Sequence, residues 1–261
     1  MDGNNSPGNG VLPAWPVALR DYPKGDEMKS LSATLYCNRV SKTIGGKPVL
    51  NDISFSAYPG ETIALIGPNG AGKTTLLKTL GGLIAPDQGE TNIRGRIMNP
   101  ENRDMLLRQV GMLIGIPVFE RGMSVRAILH KHLAFMRCDW SPDETMERVG
   151  LASMGDLPAD TLSMGNRMRL ALATALAHHP TLLLLDEPMN GLDPTGMKLF
   201  CRIIREENKR GVTAIISAHM LAQLETIGDQ VIVINHGSVK AQHAMSDISD
   251  LESYYFRHTQ D

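Results

Sequence analysis

The sequence predicts a three-layer α/β fold with an inserted helical subdomain, and three observations carry that prediction. A glycine-rich loop, Gly67 to Thr75, stands between the apolar run Thr62-Ile63-Ala64-Leu65-Ile66 and a helical pattern that begins at Leu76. Three further apolar runs, at 181–185, 212–216 and 230–234, read as strands buried in a parallel sheet, with helical patterns between them. Between about 99 and 162 strands give way to helices, as an insertion into such a domain would require.

The totals are consistent with this. A chain of 261 residues with 42% hydrophobic content can bury a sizeable core. Its formal charge of −2 lacks the basic excess of a protein built to bind nucleic acid phosphates. The three cysteines, Cys37, Cys138 and Cys201, show no CxxC spacing, which argues against a disulfide framework or zinc site and suits a reducing cytoplasm. No apolar run reaches the roughly 18 to 20 residues needed to cross a bilayer, and no secretory core stands near the start, so any membrane role is expected to come through a partner.

Residues 1–30, with Ser6-Pro7 and Asn9-Gly10 among many turn formers, read as a flexible Gly/Asn/Pro-rich tail. The main domain is expected over 31–240, with its helical subdomain at about 99–165 and a C-terminal extension at 241–261. It opens on strand-like segments near Ser32 to Val40 and Asp52 to Ala57, divided by Gly45-Gly46. Another short strand is expected at Glu90 to Ile93. Helices are expected at Arg103 to Gln109, Ser124 to Cys138 and Pro142 to Val149, the last with Ser141 as cap, proline at its first position and acids in its first turn. Beyond the insertion, Arg167 to Ala177, Gly196 to Lys209 and Met220 to Ile227 read as helices.

The loop Gly67-Pro68-Asn69-Gly70-Ala71-Gly72-Lys73-Thr74-Thr75 matches G-x-x-x-x-G-K-[ST] at every fixed position, in the required order of strand, turn and helix. Its glycines let main-chain N–H groups approach phosphate oxygens, and the helix N-terminus adds partial positive charge. Lys73 is expected to reach the β- and γ-phosphates of a nucleotide triphosphate and the Thr74 hydroxyl to bind Mg²⁺. Asp186 and Glu187 end an apolar strand, where open parallel sheets bind ligands. Asp186 is expected to hold Mg²⁺, and Glu187 to polarise the water that attacks the γ-phosphate. Leu162-Ser163-Met164-Gly165-Asn166, ahead of a helix, is explained as well by a bare Ser163 cap as by a ligand site.

With Asn190-Gly191-Leu192-Asp193 following the acidic strand, the ordered set resembles the nucleotide-binding subunit of ATP-binding cassette (ABC) transporters, over about Leu31 to Thr259. The resemblance implies a P-loop NTPase core, a signature loop at Leu162 to Asn166, a D-loop at Asn190 to Asp193 and a switch histidine at His219. It further implies that two cassettes pack head to tail, with each ATP held between the phosphate loop of one and Ser163 and Gly165 of the other. An integral membrane permease is the implied partner, placing the chain on the cytoplasmic face of the membrane. Leu113 to Pro117, Asn190 to Gly196, Ile234 to Gly237 and Leu251 to Phe256 resemble the branch that exports lantibiotics, bacitracin and similar antibiotics. A soluble cassette ATPase acting on ribosomes or DNA is disfavoured, because neither a second cassette nor a long coiled-coil insertion is visible.

Three departures from the family pattern stand out. Gly115 aligns where a Gln or Glu is usual; Gln109 and Glu120 are the alternatives if the register is shifted. Met164 and Asn166 replace the usual Gly and Gln of the signature. Ile44 aligns where an aromatic ring stacks on adenine. The first and last of these motivate an alternative in which ATP is bound with weak or no hydrolysis. Since base–aromatic stacking is worth about 1–3 kcal/mol, Ile44→Tyr is expected to tighten ATP binding, measured beside GTP; an unchanged ATP affinity would count against the stacking role.

Overall fold

Residues 33–218 and 221–259 are described by the computed structural model; the expected tail at 1–30 and the switch residue His219 lie outside the described residues. In chain order, the hairpin β1 (Leu35–Ile44) and β2 (Lys47–Ala57) is followed by β3 (Thr62–Ile66), α1 (Lys73–Leu80), β4 (Gln88–Ile93) and β5 (Arg96–Ile97). Then come α2 (Arg103–Leu107), β6 (Val110–Leu113), α3 (Val125–Met136), α4 (Pro142–Arg148) and α5 (Met164–Leu176). The remainder is β7 (Leu182–Asp186), α6 (Pro194–Lys209), β8 (Thr213–Ser217), α7 (Leu221–Ile227), β9 (Gln230–Asn235), β10 (Ser238–Ala244) and α8 (Leu251–Thr259).

Every residue of β3, β7 and β8 is buried, the mark of central strands covered on both faces. They lie in one six-stranded sheet of spatial order β10-β9-β3-β8-β7-β6, parallel except for β10 at its edge. Successive side chains on a strand point to opposite faces, so this sheet feeds two cores. Ile63, Leu65, Leu182, Leu184 and Ile215 pack with Leu76, Leu77 and Leu80 of α1 and with Leu35, Ile53 and Phe55 of the hairpin. Ala64, Ile66, Leu183, Leu185 and Ile216 face a second core built with α3, α5, α6 and α8. One outer layer is therefore α1 under a four-stranded antiparallel sheet, β2-β1-β4-β5, and the other is helical.

Local chemistry explains the helix starts. The hydroxyls of Ser124 and Ser141 accept from the Ala127 and Asp143 N–H groups at 3.2 Å each, and Pro142 occupies the first turn of α4. The Asp193 carboxylate accepts from the Gly196 N–H at 2.7 Å to begin α6.

Two sequence expectations need correction. The span expected to be helical from about 99 contains β6, which is too short and too isolated to show a period, and which exists because it pairs in register with β7 from Val110↔Leu182 to Leu113↔Leu185. The expected boundary between 240 and 241 falls inside β10, which pairs with β9, and α8 beyond it buries Leu251 and Tyr254 in the helical-side core.

The insertion is tied to the core by charge. The Glu207 carboxylate, only 3% exposed on α6, is held by Arg148 at the end of α4 and by Arg210 at 3.2 Å. Arg148→Met leaves Glu207 to Arg210 alone and removes a charge-assisted hydrogen bond, so a loss of about 1.5–3 kcal/mol of stability is expected in urea unfolding.

Candidate functional site

The site lies at the C-terminal ends of β3, β7 and β8, where the loops leave the sheet. The phosphate loop turns from β3 into α1 against its neighbours' backbones. A Cβ at Gly67 would overlap the carbonyl oxygen of Ile234 on β9. Gly72, at φ 106°, caps α1 in a backbone conformation closed to other residues, and a Cβ there would lie 2.8 Å from the Val49 carbonyl oxygen of β2. Because that cap has no side chain, no side-chain hydrogen bond occupies the α1 N-terminus, in contrast to α3, α4, α5 and α6. Its first N–H groups are oriented for an anion.

Asp186 is buried and receives two short hydrogen bonds, from Thr74 Oγ1 to Oδ2 at 2.7 Å and from Ser217 Oγ to Oδ1 at 2.6 Å. Ser217 ends β8, the strand between β3 and β7, and pairs in register with Asp186. The next residue, Glu187, has a left-handed backbone at φ 52°, uncommon for a residue with a side chain. The strain is held in place by its N–H, which donates both to the Ser217 carbonyl at 3.1 Å and to Ser217 Oγ at 3.0 Å. That turn brings Glu187 into the cleft over the phosphate loop.

The cleft has a volume of about 340 Å³ and is lined by Asn69 to Thr75, Glu187 and Val49. Lys73 lies beneath it, buried, its ammonium donating to the carbonyls of Gly67 at 2.6 Å and Pro68 at 3.2 Å. Burial pushes its pKa below the ordinary lysine value, while the charges of Glu187 and Asp186 act in the opposite direction. A cation, the Glu187 carboxylate, a hydroxyl and a helix N-terminus thus converge on one pocket, with Asp186 hydrogen-bonded to its lining residue Thr74, an arrangement suited to a phosphate ester and its counterion.

This architecture has close counterparts. The family model described as "ABC transporter" matches residues 50–190. The chain belongs to the ABC transporter family. It is 38% identical over 215 residues to an uncharacterized ABC transporter ATP-binding protein, YdbJ, of Bacillus subtilis (strain 168), covering 80% of this chain and 68% of that one. It is 32% identical over 224 residues to the lantibiotic transport ATP-binding protein SrtF of Streptococcus pyogenes, covering 85% of this chain and 95% of that one. A solved structure of an ATP binding subunit of an ABC transporter superposes with a TM-score of 0.81 at 25% identity, covering 87% of this chain and all of that one.

Other sequence-predicted residues of this ABC protein stand apart from the cleft. Ser163 caps α5, accepting from the Asn166 N–H at 3.3 Å, and neither it nor Gly165 lines the phosphate-loop pocket. Met164, the residue that replaces a glycine, lies against Gly191: a Cβ there would meet its side chain at 2.8 Å. Ile44 is 46% exposed at the hairpin tip and is not among the lining residues; Val49 of the same hairpin is. Gly115 follows β6 at the same sheet end as Glu187, with no atom within 4 Å of a built Cβ. Gln109 lies at the opposite end, where its carbonyl accepts from Thr181 and Leu182, and Glu120 is engaged with Lys131 at 2.7 Å.

Sequence reading missed Val49 and the role of Ser217. Only the residue type and its place two positions ahead of His219 hinted at the latter. Ser217→Ala would leave one oxygen of the buried Asp186 carboxylate without its donor, so a loss of about 1–3 kcal/mol is expected in denaturant unfolding.

Proposed function

We propose that this chain is the ATP-binding and hydrolysing subunit of an ABC transporter, driving export of a peptide, antibiotic or similar substrate through a separate integral membrane permease. The observation that carries this reading is the convergence of the phosphate loop, the uncapped α1 N-terminus, Lys73 and Glu187 on one cleft, with Asp186 hydrogen-bonded to the lining residue Thr74. Relatives such as SrtF, described as a lantibiotic transport ATP-binding protein, support the class of cargo.

In the hydrolytic step, the oxygen of water bonds to the γ-phosphorus, the bond from that phosphorus to the ADP oxygen breaks, and Glu187 accepts the proton of the attacking water. Lys73 shifts from the loop carbonyls toward the phosphates and offsets their charge, and the loop N–H groups orient them. The oxygen donors Thr74 Oγ1 and Asp186 Oδ2, 2.7 Å apart, fit a hard divalent cation, so these two residues would hold Mg²⁺. Held there, the ion would supply Lewis-acid stabilisation of the negative charge that develops on the phosphate.

Ser163 and Gly165 stand at the N-terminus of α5, away from this chain's own loop, which supports their serving the ATP of a second cassette in a head-to-tail dimer. His219 is assigned as the switch that senses the γ-phosphate. Among the described residues no helix is long and apolar enough to cross a membrane, in keeping with a cytoplasmic chain held at the inner face of the membrane by its permease. Gly115 favours a second reading, an ATP-binding subunit with slow or no hydrolysis, because it brings no side chain to the position usual for Gln or Glu.

Purified turnover with ATP and Mg²⁺, alone and with the permease recovered from membranes, separates the two readings. Glu187→Gln is expected to lower kcat by about 100-fold or more while ATP still binds. Unchanged turnover in the assembled complex would overturn the assignment of the base.

A further inference from the structure

We propose that Asn235 and the end of α8 brace the phosphate loop from outside, making Asn235 a positioning residue for nucleotide binding; the proposal rests on the loop being the ATP site. Asn235 ends β9, is only 4% exposed, and donates from Nδ2 to the main-chain carbonyl of Thr259, at the end of α8, at 3.3 Å. A buried amide fixed in this way orients the turn that follows it. That turn touches the phosphate loop directly. The Gly237 N–H donates to the Ala71 carbonyl at 3.0 Å, and the Gly237 carbonyl accepts from the Asn51 N–H at 2.8 Å. One residue before Asn235, the carbonyl of Ile234 abuts Gly67 so closely that no side chain fits between them.

Pro68 to Ala71 on one side, and Asn235, His236 and Thr259 on the other, line a second cleft of about 280 Å³ behind the loop. The far end of the brace is anchored. Leu251 and Tyr254 are buried, the Leu251 N–H donates to Glu225 at 2.8 Å, and Tyr254 Oη meets His243 Nδ1 at 2.5 Å. A rigid path therefore runs from the helical-side core through α8, Thr259 and Asn235 to the backbone that receives phosphate. Asn235 lines the rear cleft and not the front one, so it acts through the shape of the loop. Ground-state binding of nucleotide should feel its loss, while the attacking water and Glu187 should not.

The test is equilibrium binding of ATP with Mg²⁺, and steady-state turnover, on the full chain, Asn235→Ala, Asn235→Asp and a chain stopped after His258. Each variant is expected to raise Kd and KM about three- to tenfold, the cost of one lost buried hydrogen bond, with kcat within about twofold of the parent. The aspartate fills the same volume but cannot donate, so it should match or exceed the alanine loss. Combining Asn235→Ala with the stop after His258 should cost no more than either alone, because both break one contact. Additive losses, or a parent that binds ATP while the variants bind it equally well, would overturn the brace alone. A parent chain that binds no ATP would overturn the nucleotide-site reading and the brace with it.

Discussion

The site depends on one buried carboxylate. Asp186 accepts from Thr74 on α1 and from Ser217 on β8, so three chain segments far apart in sequence meet at two oxygen atoms. A buried carboxylate is tolerated only when such donors replace its water, and hydrogen bonds to a charged acceptor are about twice as strong as neutral ones. The same serine holds the strained turn of Glu187 through its Oγ and its main-chain carbonyl. The positions of Asp186 and Glu187 are thereby coupled through Ser217: a displacement of β8 relative to β7 would disturb both at once.

The layers around the sheet serve that point differently. On one face α1 is clamped between the central sheet and the antiparallel sheet, with Leu76, Leu77 and Leu80 fully buried, which makes the base of the phosphate loop rigid. On the other face α3 and α4 belong to an insertion joined to the core by the Arg148–Glu207 pair and by apolar packing. The phosphate loop is thus backed by one core and the insertion shares the other with the sheet, α5, α6 and α8.

Legibility differed by element for physical reasons. The phosphate loop, β7 with its two acids, and the Ser141–Pro142 helix start are local patterns, written in consecutive residues, and their places in the fold match the sequence expectation. β6 was not legible, because four residues in a helix-rich stretch form a strand only when β7 lies alongside them. β10 and α8 were obscured for the same reason: their stability comes from pairing with β9 and from burying Leu251 and Tyr254 in a core assembled elsewhere. The alternatives to Gly115 were beyond sequence reading, whereas strand direction separates them at once: Gln109 sits at the wrong end of β6.

Runs of consecutive residues specify a chemical inventory: a nine-residue loop able to present N–H groups, a lysine, a hydroxyl and two acids in the order that phosphate chemistry needs. Each group stands in a short run of consecutive residues, so local spacing reports it. How they meet depends on the packing of the whole chain. That packing placed β8 between β3 and β7, which made Ser217 the link between Thr74's partner and Glu187, and it put Val49 at the cleft while leaving Ile44 at an exposed hairpin tip. Strand order and hairpin packing follow from which apolar faces cover one another across the whole chain, and no local stretch carries that information.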